Sequence, residues 1–209
     1  SSELFSQFKD KLYIIPYSAY NERAFRDTNI DGAQVFLTKD GIIGLPLTVD
    51  PAVMHYNKDI LAQASFVVPP KTWNTMQLAI TLLTKKDARN SILQSTIALG
   101  TGQNIANAKD ILSTLFMQTG SSIVSYDSSA NAYRASIAQS SAGSINPVAQ
   151  ALEFYTSFAN PTNANYSWNN ALPSSIDQFV AGKSAFYIGR ASELFTIQSR
   201  NPNLNFDVT

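Results

Sequence analysis

Six side chains carry most of the chemistry this sequence can offer: Asp50, Gln103, Asn104, Trp168, Tyr187 and Arg190. Asp50 stands before Pro51, where an apolar run beginning at Gly44 changes character. Its carboxylate is a charged acceptor, and charged groups make stronger hydrogen bonds than neutral ones. Asp before Pro is also an ordinary turn former. The stretch Gly100 to Asn104 (GTGQN) leads into a helix and can present backbone N–H groups plus two side-chain amides. Such a loop suits hydroxyls or an anion, and it also serves as a plain strand-to-helix connection. It lacks the lysine and spacing of a phosphate loop. Trp168 lies in the polar loop from Thr162 to Leu172, near Tyr166. An indole there either stacks on a ligand ring, such as a pyranose face, or packs with its neighbour. Tyr187, Gly189 and Arg190 fall at the end of an expected strand, where open α/β sheets gather their ligands.

Other chemistries are poorly supplied. His55 is the only histidine, inside an apolar run, and a structural role is expected for it. Cysteine is absent, which excludes disulfides, thiolate metal sites and cysteine nucleophiles. No GxSxG, HExxH or Walker sequence occurs. No cofactor and no metal are expected. Formal net charge is zero, so nothing in the balance recruits nucleic acid or an anionic membrane. No apolar run reaches ~18 residues, the length of a membrane span. With 44% hydrophobic and 14% charged residues in 209, the chain is globular and long enough for one good core or for one domain plus part of another.

The elements that must position these groups alternate between strand and helix, which indicates α/β architecture. Gln34 to Leu45 reads as a hairpin turning at Asp40-Gly41. Asn57 is an N-cap for a helix that Pro69-Pro70 stops, and Thr72 caps the next. In that helix Trp73, Met76, Ile80 and Leu83 share a face, and Lys85 and Lys86 are expected in its last turn. Ile97 to Leu99 is a short buried strand, and the helix after it ends at Gly120. Ser121 to Ile145 reads as a surface excursion, a loose hairpin around Tyr126 and Tyr133. Asn146-Pro147 opens a helix, and Ser174 to Asp177 starts another. Ser184 to Ile188 is a strand, Gly189 a turn, Ala191 to Ser199 a helix and Asn203 to Val208 a last strand. Ser1 to Asp10 reads as a helix end.

Several stretches, taken in order, resemble one family. They are Gly44 to Leu61 (GLPLTVDPAVMHYNKDIL), Pro69 to Trp73 (PPKTW), Leu152 to Tyr155, Phe179 to Phe186 (FVAGKSAF), and Tyr187 to Ser192. Together they are similar to the extracellular solute-binding proteins, the maltose-binding-like receptors (family 1) of ABC importers. The resemblance implies a periplasmic-binding-protein-like α/β fold of type II, in which two lobes close on a solute. It implies that this chain is a fragment, with residues 1–49 the tail of the N-terminal lobe and crossover strand, and residues 50–209 most of the C-terminal lobe. Asp50 would lie at the cleft floor. After Gly189, where sugar-binding relatives often carry an aromatic, this chain has Ala191.

The implied function is capture of a small solute, a carbohydrate, and its delivery to membrane permease subunits. The implied protein is an extracytoplasmic, lipid-anchored monomer that does no catalysis. Two other classes compete. One is an α/β enzyme such as a transferase using Asp50, against which stand the lone histidine and the lack of a second placed carboxylate. The other is a surface binding protein on the same fold with no part in transport, which neighbouring permease genes would argue against.

Overall fold

The structure is a computed structural model that describes residues 8, 11–66, 68–127, 129, 132–137 and 146–209. Of the expected helix end at Ser1 to Asp10 only Phe8 is described, and the rest of it and much of the excursion before Ile145 fall outside the described residues. The chain divides into two compact units, Ser1–Val49 and Asp50–Thr209.

In the first unit, Asn21 caps helix α1 (Glu22–Thr28) by accepting from Ala24 N. A 3-10 helix (Asp31–Phe36) leads to a minimal hairpin of β1 (Leu37–Thr38) and β2 (Gly41–Ile42). The hairpin turns at Lys39-Asp40, one residue before the expected Asp40-Gly41, because Gly41 already pairs with Thr38 in β2. Its first strand is shorter than expected, because Gln34 and Val35 belong to the 3-10 helix. Phe25, Ala33 and Ile42 make a small core.

The second unit holds the main sheet. Strand β3 (Ala52–Asn57) runs into helix α2 (Lys58–Gln63), where Asn57 Oδ1 accepts from both Asp59 N and Ile60 N. A cap of this kind contributes about 1 kcal/mol. Helix α2 ends earlier than expected, since Ser65 adopts a left-handed φ of 55° well before Pro69. Thr72 and Thr75 form a reciprocal capping box for α3 (Trp73–Leu83), whose inner face is Met76, Ala79, Ile80 and Leu83.

Lys85 and Lys86 do not lie in the last turn of α3. They form β4 (Lys85–Lys86), because Thr84 is already extended and its hydroxyl bonds Thr96 Oγ1 at 2.7 Å. Gln94 Nε2 also takes the Leu83 carbonyl at 2.7 Å. Lys86 Nζ sits 4.5 Å over the Tyr166 ring, a cation–π partner in place of the helix dipole.

Strand β5 (Ile92–Ile97) is followed by helix α4 (Ala108–Gln118). The hairpin β6 (Val124–Asp127) and β7 (Ala132–Ala135) pairs Tyr126 with Tyr133, as expected. Helix α5 (Pro147–Ser157) is capped by Asn146, and α6 (Ser175–Val180) by Ser174. Strand β8 (Ser184–Arg190), helix α7 (Glu193–Arg200) and β9 (Phe206–Val208) complete the unit. Gly189 is not a turn residue, for it continues β8 and pairs with Val53.

The main sheet has the order β4-β5-β8-β3-β9. Strands β5 and β8 are parallel, while β3 is antiparallel to β8 and β9. The larger core, with Phe158, Trp168 and Phe186 fully buried, packs α3, α4 and α5 on the sheet. Full burial of one such side chain contributes about 1.5–3 kcal/mol. A second cluster joins Phe179, Tyr187 and Ile197. The loop from Thr162 to Leu172 folds inward, since Tyr166, Ser167 and Trp168 are all buried.

Candidate functional site

The parallel strands β5 and β8 end on the same edge of the sheet, and β3, antiparallel to β8, begins there. Loops leaving this edge are where an α/β sheet can meet a ligand. Two hydrogen-bonded groups occupy it.

The first group centres on Arg190. Ala52 and Arg190 are register partners, which sets Asp50 beside the end of β8. Asp50 Oδ1 accepts from Ser192 N at 2.8 Å and Oδ2 from Ser192 Oγ at 2.7 Å. Ser192 precedes α7 and makes no side-chain cap of its own, so Asp50 supplies that cap from across the sheet. The backbone bond from Ser192, then its hydroxyl, hold the Asp50 carboxyl below the usual carboxylate range. Arg190 Nη1 donates to the Asp50 carbonyl at 3.3 Å, and Nη2 to Asp110 Oδ2 on α4. Both partners of that ion pair are more than a third exposed, so it contributes at most about 1 kcal/mol and serves mainly to orient the guanidinium.

Beneath Arg190, Glu193 Oε2 accepts from Arg190 N at 2.8 Å and from Tyr187 OH at 2.9 Å. Asn107 Nδ2 donates to Tyr187 OH at 3.1 Å. Gly189 makes this possible: a Cβ there would lie 2.2 Å from Glu193 Oε2 and 2.4 Å from the Tyr187 ring. Tyr187 is fully buried, and burial first, then the Glu193 carboxylate, push its hydroxyl pKa upward. His55, also fully buried, stacks on Tyr187 and donates its Nε2–H to the Arg190 carbonyl at 3.1 Å. Burial holds it below its ordinary pKa of 6.5, in the neutral form, and Nδ1 has no partner among the described residues. The structural role expected of His55 is its role here.

The second group centres on Asn104. Its Oδ1 accepts from Thr101 Oγ1 at 2.6 Å and from Trp168 Nε1 at 3.0 Å. Its Nδ2 donates to the carbonyls of Asn169 at 2.9 Å and Leu172 at 3.0 Å. Asn104 therefore stitches the loop after β5 to the loop holding Trp168. Gly100 has φ of +98°, and a Cβ there would meet Ala159 N at 2.6 Å, so only glycine fits. Tyr155 OH donates to the Thr101 carbonyl at 2.6 Å, and burial pushes its pKa up to about 12.

The six residues singled out by sequence thus divide by accessibility. Asp50, Arg190 and Gln103 are exposed. Gln103 makes no side-chain hydrogen bond to a described residue. Trp168 and Tyr187 are buried and offer no ring face, and Asn104 spends all four of its side-chain bonds inside the protein. The expected stacking platform at Trp168 is therefore corrected: its indole is core, drawn in by Asn104. Sequence reasoning missed Asn107, Asp110, Ser192 and Glu193. The one signal for them was position, since each lies at or beside the start of a helix leaving this edge.

Residues of β3, β8, α3 and α4, together with Thr209, line an open pocket of about 420 Å3. Met54, Met76, Ile111 and Ile188 line it, with Trp73 and Gln118. Among the described residues no group of His, Cys, Asp and Glu could hold a metal ion, and no helix is long and apolar enough to cross a membrane.

None of the curated proteins matches this chain in sequence. Solved structures do match in fold. CpMnBP1 with mannotriose bound is 24% identical, with a TM-score of 0.57 over 96% of this chain and 50% of that one. An ABC transporter solute-binding protein from Thermotoga lettingae, bound with α-D-tagatose, is 18% identical, with a TM-score of 0.65 over 97% and 50%. An ABC substrate-binding protein from Listeria monocytogenes in complex with cycloalternan is 20% identical, with a TM-score of 0.63 over 98% and 49%. The chain spans about half the length of these proteins, and it has the α/β, periplasmic-binding-protein-like fold that its sequence led us to expect. The sequence profile of the bacterial extracellular solute-binding proteins matches residues 4–209, and the chain belongs to that family.

Proposed function

We propose that this chain is part of the substrate-binding component of an ABC importer, which captures a carbohydrate between two lobes and delivers it to membrane permease subunits. In this reading residues 50–209 are most of the C-terminal lobe, residues 1–49 belong to the N-terminal lobe, and the protein works outside the cytoplasm as a lipid-anchored monomer. It binds and does not catalyse. Its work is differential affinity, the solute favouring a closed arrangement of the lobes.

The observation that carries the reading is the exposed edge formed by Asp50, Arg190 and Asp110. A guanidinium has five N–H donors, and two of these are engaged here. Three remain, interleaved with carboxylate acceptors. A hydroxyl both donates and accepts, so a polyol matches such an edge better than an anion or a cation does. Asp50, Arg190 and Gln103 contact solute in this reading, while Asn104, Trp168 and Tyr187 hold the loops that present them. The saccharides in the matched structures support the same class of solute.

Calorimetry of the full-length protein against a panel of mono- and oligosaccharides tests it. The expected result is binding of at least one saccharide, weakened about tenfold or more by Arg190→Met. Binding of no saccharide, or equal affinity in the variant, would overturn the carbohydrate reading or the site, respectively.

A further inference from the structure

Arg190 is held at its tip and at its backbone. Its guanidinium donates to Asp110 Oδ2 and to the Asp50 carbonyl. Its peptide N–H donates to Glu193 Oε2 at 2.8 Å, and its peptide carbonyl accepts from His55 Nε2 at 3.1 Å. The guanidinium is exposed, whereas Glu193 is half-buried and His55 fully buried.

From Glu193 the bonds run on. Tyr187 OH donates to the same Oε2 at 2.9 Å, and Asn107 Nδ2 donates to Tyr187 OH at 3.1 Å. Asn107 stands directly before α4, and Asp110 lies in the first turn of that helix. The bonds therefore close a ring that leaves Arg190 by its backbone and returns to it by its side chain. Two local features are given over to this ring. Asn107 is of a type that favours capping, yet it makes no side-chain cap for α4, its amide being turned to Tyr187. Gly189 sits inside a strand, where glycine often marks a close approach, and Glu193 Oε2 takes the space that a Cβ there would need.

We infer that Glu193 is a positioning residue for solute capture: it touches no solute, and it fixes the Arg190 backbone so that the guanidinium is presented in one place. The inference rests on the reading that Arg190 contacts the saccharide, and it deepens that reading. An arginine tethered only at its tip must be ordered when solute arrives, and ordering such a side chain subtracts from affinity. On this account the reach of the Glu193 oxygen matters more than its charge.

Two substitutions separate reach from charge. Glu193→Gln keeps an oxygen acceptor at the same reach and loses the charge. Glu193→Asp keeps the charge and draws it back by one methylene. The full-length protein and its variants, with folding checked by circular dichroism, are titrated by calorimetry against the saccharide panel, mannotriose, tagatose and cycloalternan included. For the saccharide bound most tightly, Glu193→Gln should stay within about threefold of the unaltered protein, the difference between a charged and a neutral acceptor. Glu193→Asp should bind about tenfold more weakly, the factor for one lost bond to a charged group. In the Arg190→Met background Glu193→Asp should change affinity by less than about twofold, since a residue acting through Arg190 then has nothing left to position. Losses that multiply in the double variant would overturn the inference. So would unaltered affinity in Glu193→Asp, or a glutamine variant weaker than the aspartate one, while Arg190→Met still weakens binding and the site stands. Equal affinity in Arg190→Met would overturn the site and the inference together. Failure of every saccharide to bind would overturn the carbohydrate reading as well.

Discussion

Asn104 offers the most direct test of how the site's loops are held. Replacing it with aspartate keeps its size and the oxygen that accepts from Thr101 and Trp168. It converts the amide nitrogen into a carboxylate oxygen facing two carbonyls, at the 2.9 and 3.0 Å now spanned by hydrogen bonds. Each lost bond removes about 1 kcal/mol net, and a partly buried oxygen facing like charge costs at least about 1 kcal/mol more. The expected loss in folding stability is therefore about 3 kcal/mol at pH 7. It should depend on pH. The carbonyls raise the introduced carboxyl's folded pKa above its unfolded value of about 3.9. The folded state then binds more protons, and stability is lost as pH rises through that window. Urea unfolding at pH 4 and pH 7 measures this, each variant midpoint being compared with the unaltered protein at the same pH. Equal midpoints at pH 7 would refute the claim that Asn104 stitches the two loops, and a deficit that does not shrink at pH 4 would refute its electrostatic cause.

Trp168→Ala should cost about 3–5 kcal/mol of stability as a core truncation, a loss that denaturant titration would detect. Gly189→Ala should displace the Glu193 carboxylate or the Tyr187 ring and cost about 1–3 kcal/mol, with the shift of Glu193 visible in a crystal structure of the variant. Because burial depresses the folded pKa of His55, its contribution is fully present above pH 6.5 and declines as pH falls toward the folded value. His55→Phe should flatten that part of the stability profile, measured by thermal unfolding between pH 4 and pH 8.

The local signals in the sequence were the readable ones. Asn57, Thr72 and the Ser174 start were visible as caps, and Asn146-Pro147 as a helix opening, because such signals act on backbone within three residues. The face of Trp73 to Leu83 was visible because helical periodicity is likewise local. Misreadings came where a distant partner decides. Lys85 and Lys86 leave the helix because β5 takes them, and Gly189 stays extended because β3 pairs with it. Trp168 stands among polar residues, yet those residues turn its loop inward: Ser95 and Ser167 exchange bonds with backbone across the core, and Asn104 takes the indole N–H. Polarity of a loop in sequence does not separate a loop that faces water from one whose polar groups pair inside. At the site, Asp50 and Arg190 were legible as strand-end charges, but Ser192 meets Asp50 only through the register of β3 on β8, and Asp110 meets Arg190 only through the packing of α4.

The sheet order has a consequence in time. Strands β3 and β5 are not hydrogen-bonded to each other, and β8 joins them, so Ala52 waits for Arg190 and Ser95 waits for Ser184. A nascent chain that has reached Gly182 holds helices and hairpins but no main sheet. Contacts between such distant positions make folding slow, because the long loops must close before the pairing is rewarded. Synthesis therefore runs nearly to the end of these 209 residues before the second unit can lock. Through that interval the second unit has helices and hairpins without the completed sheet they pack on.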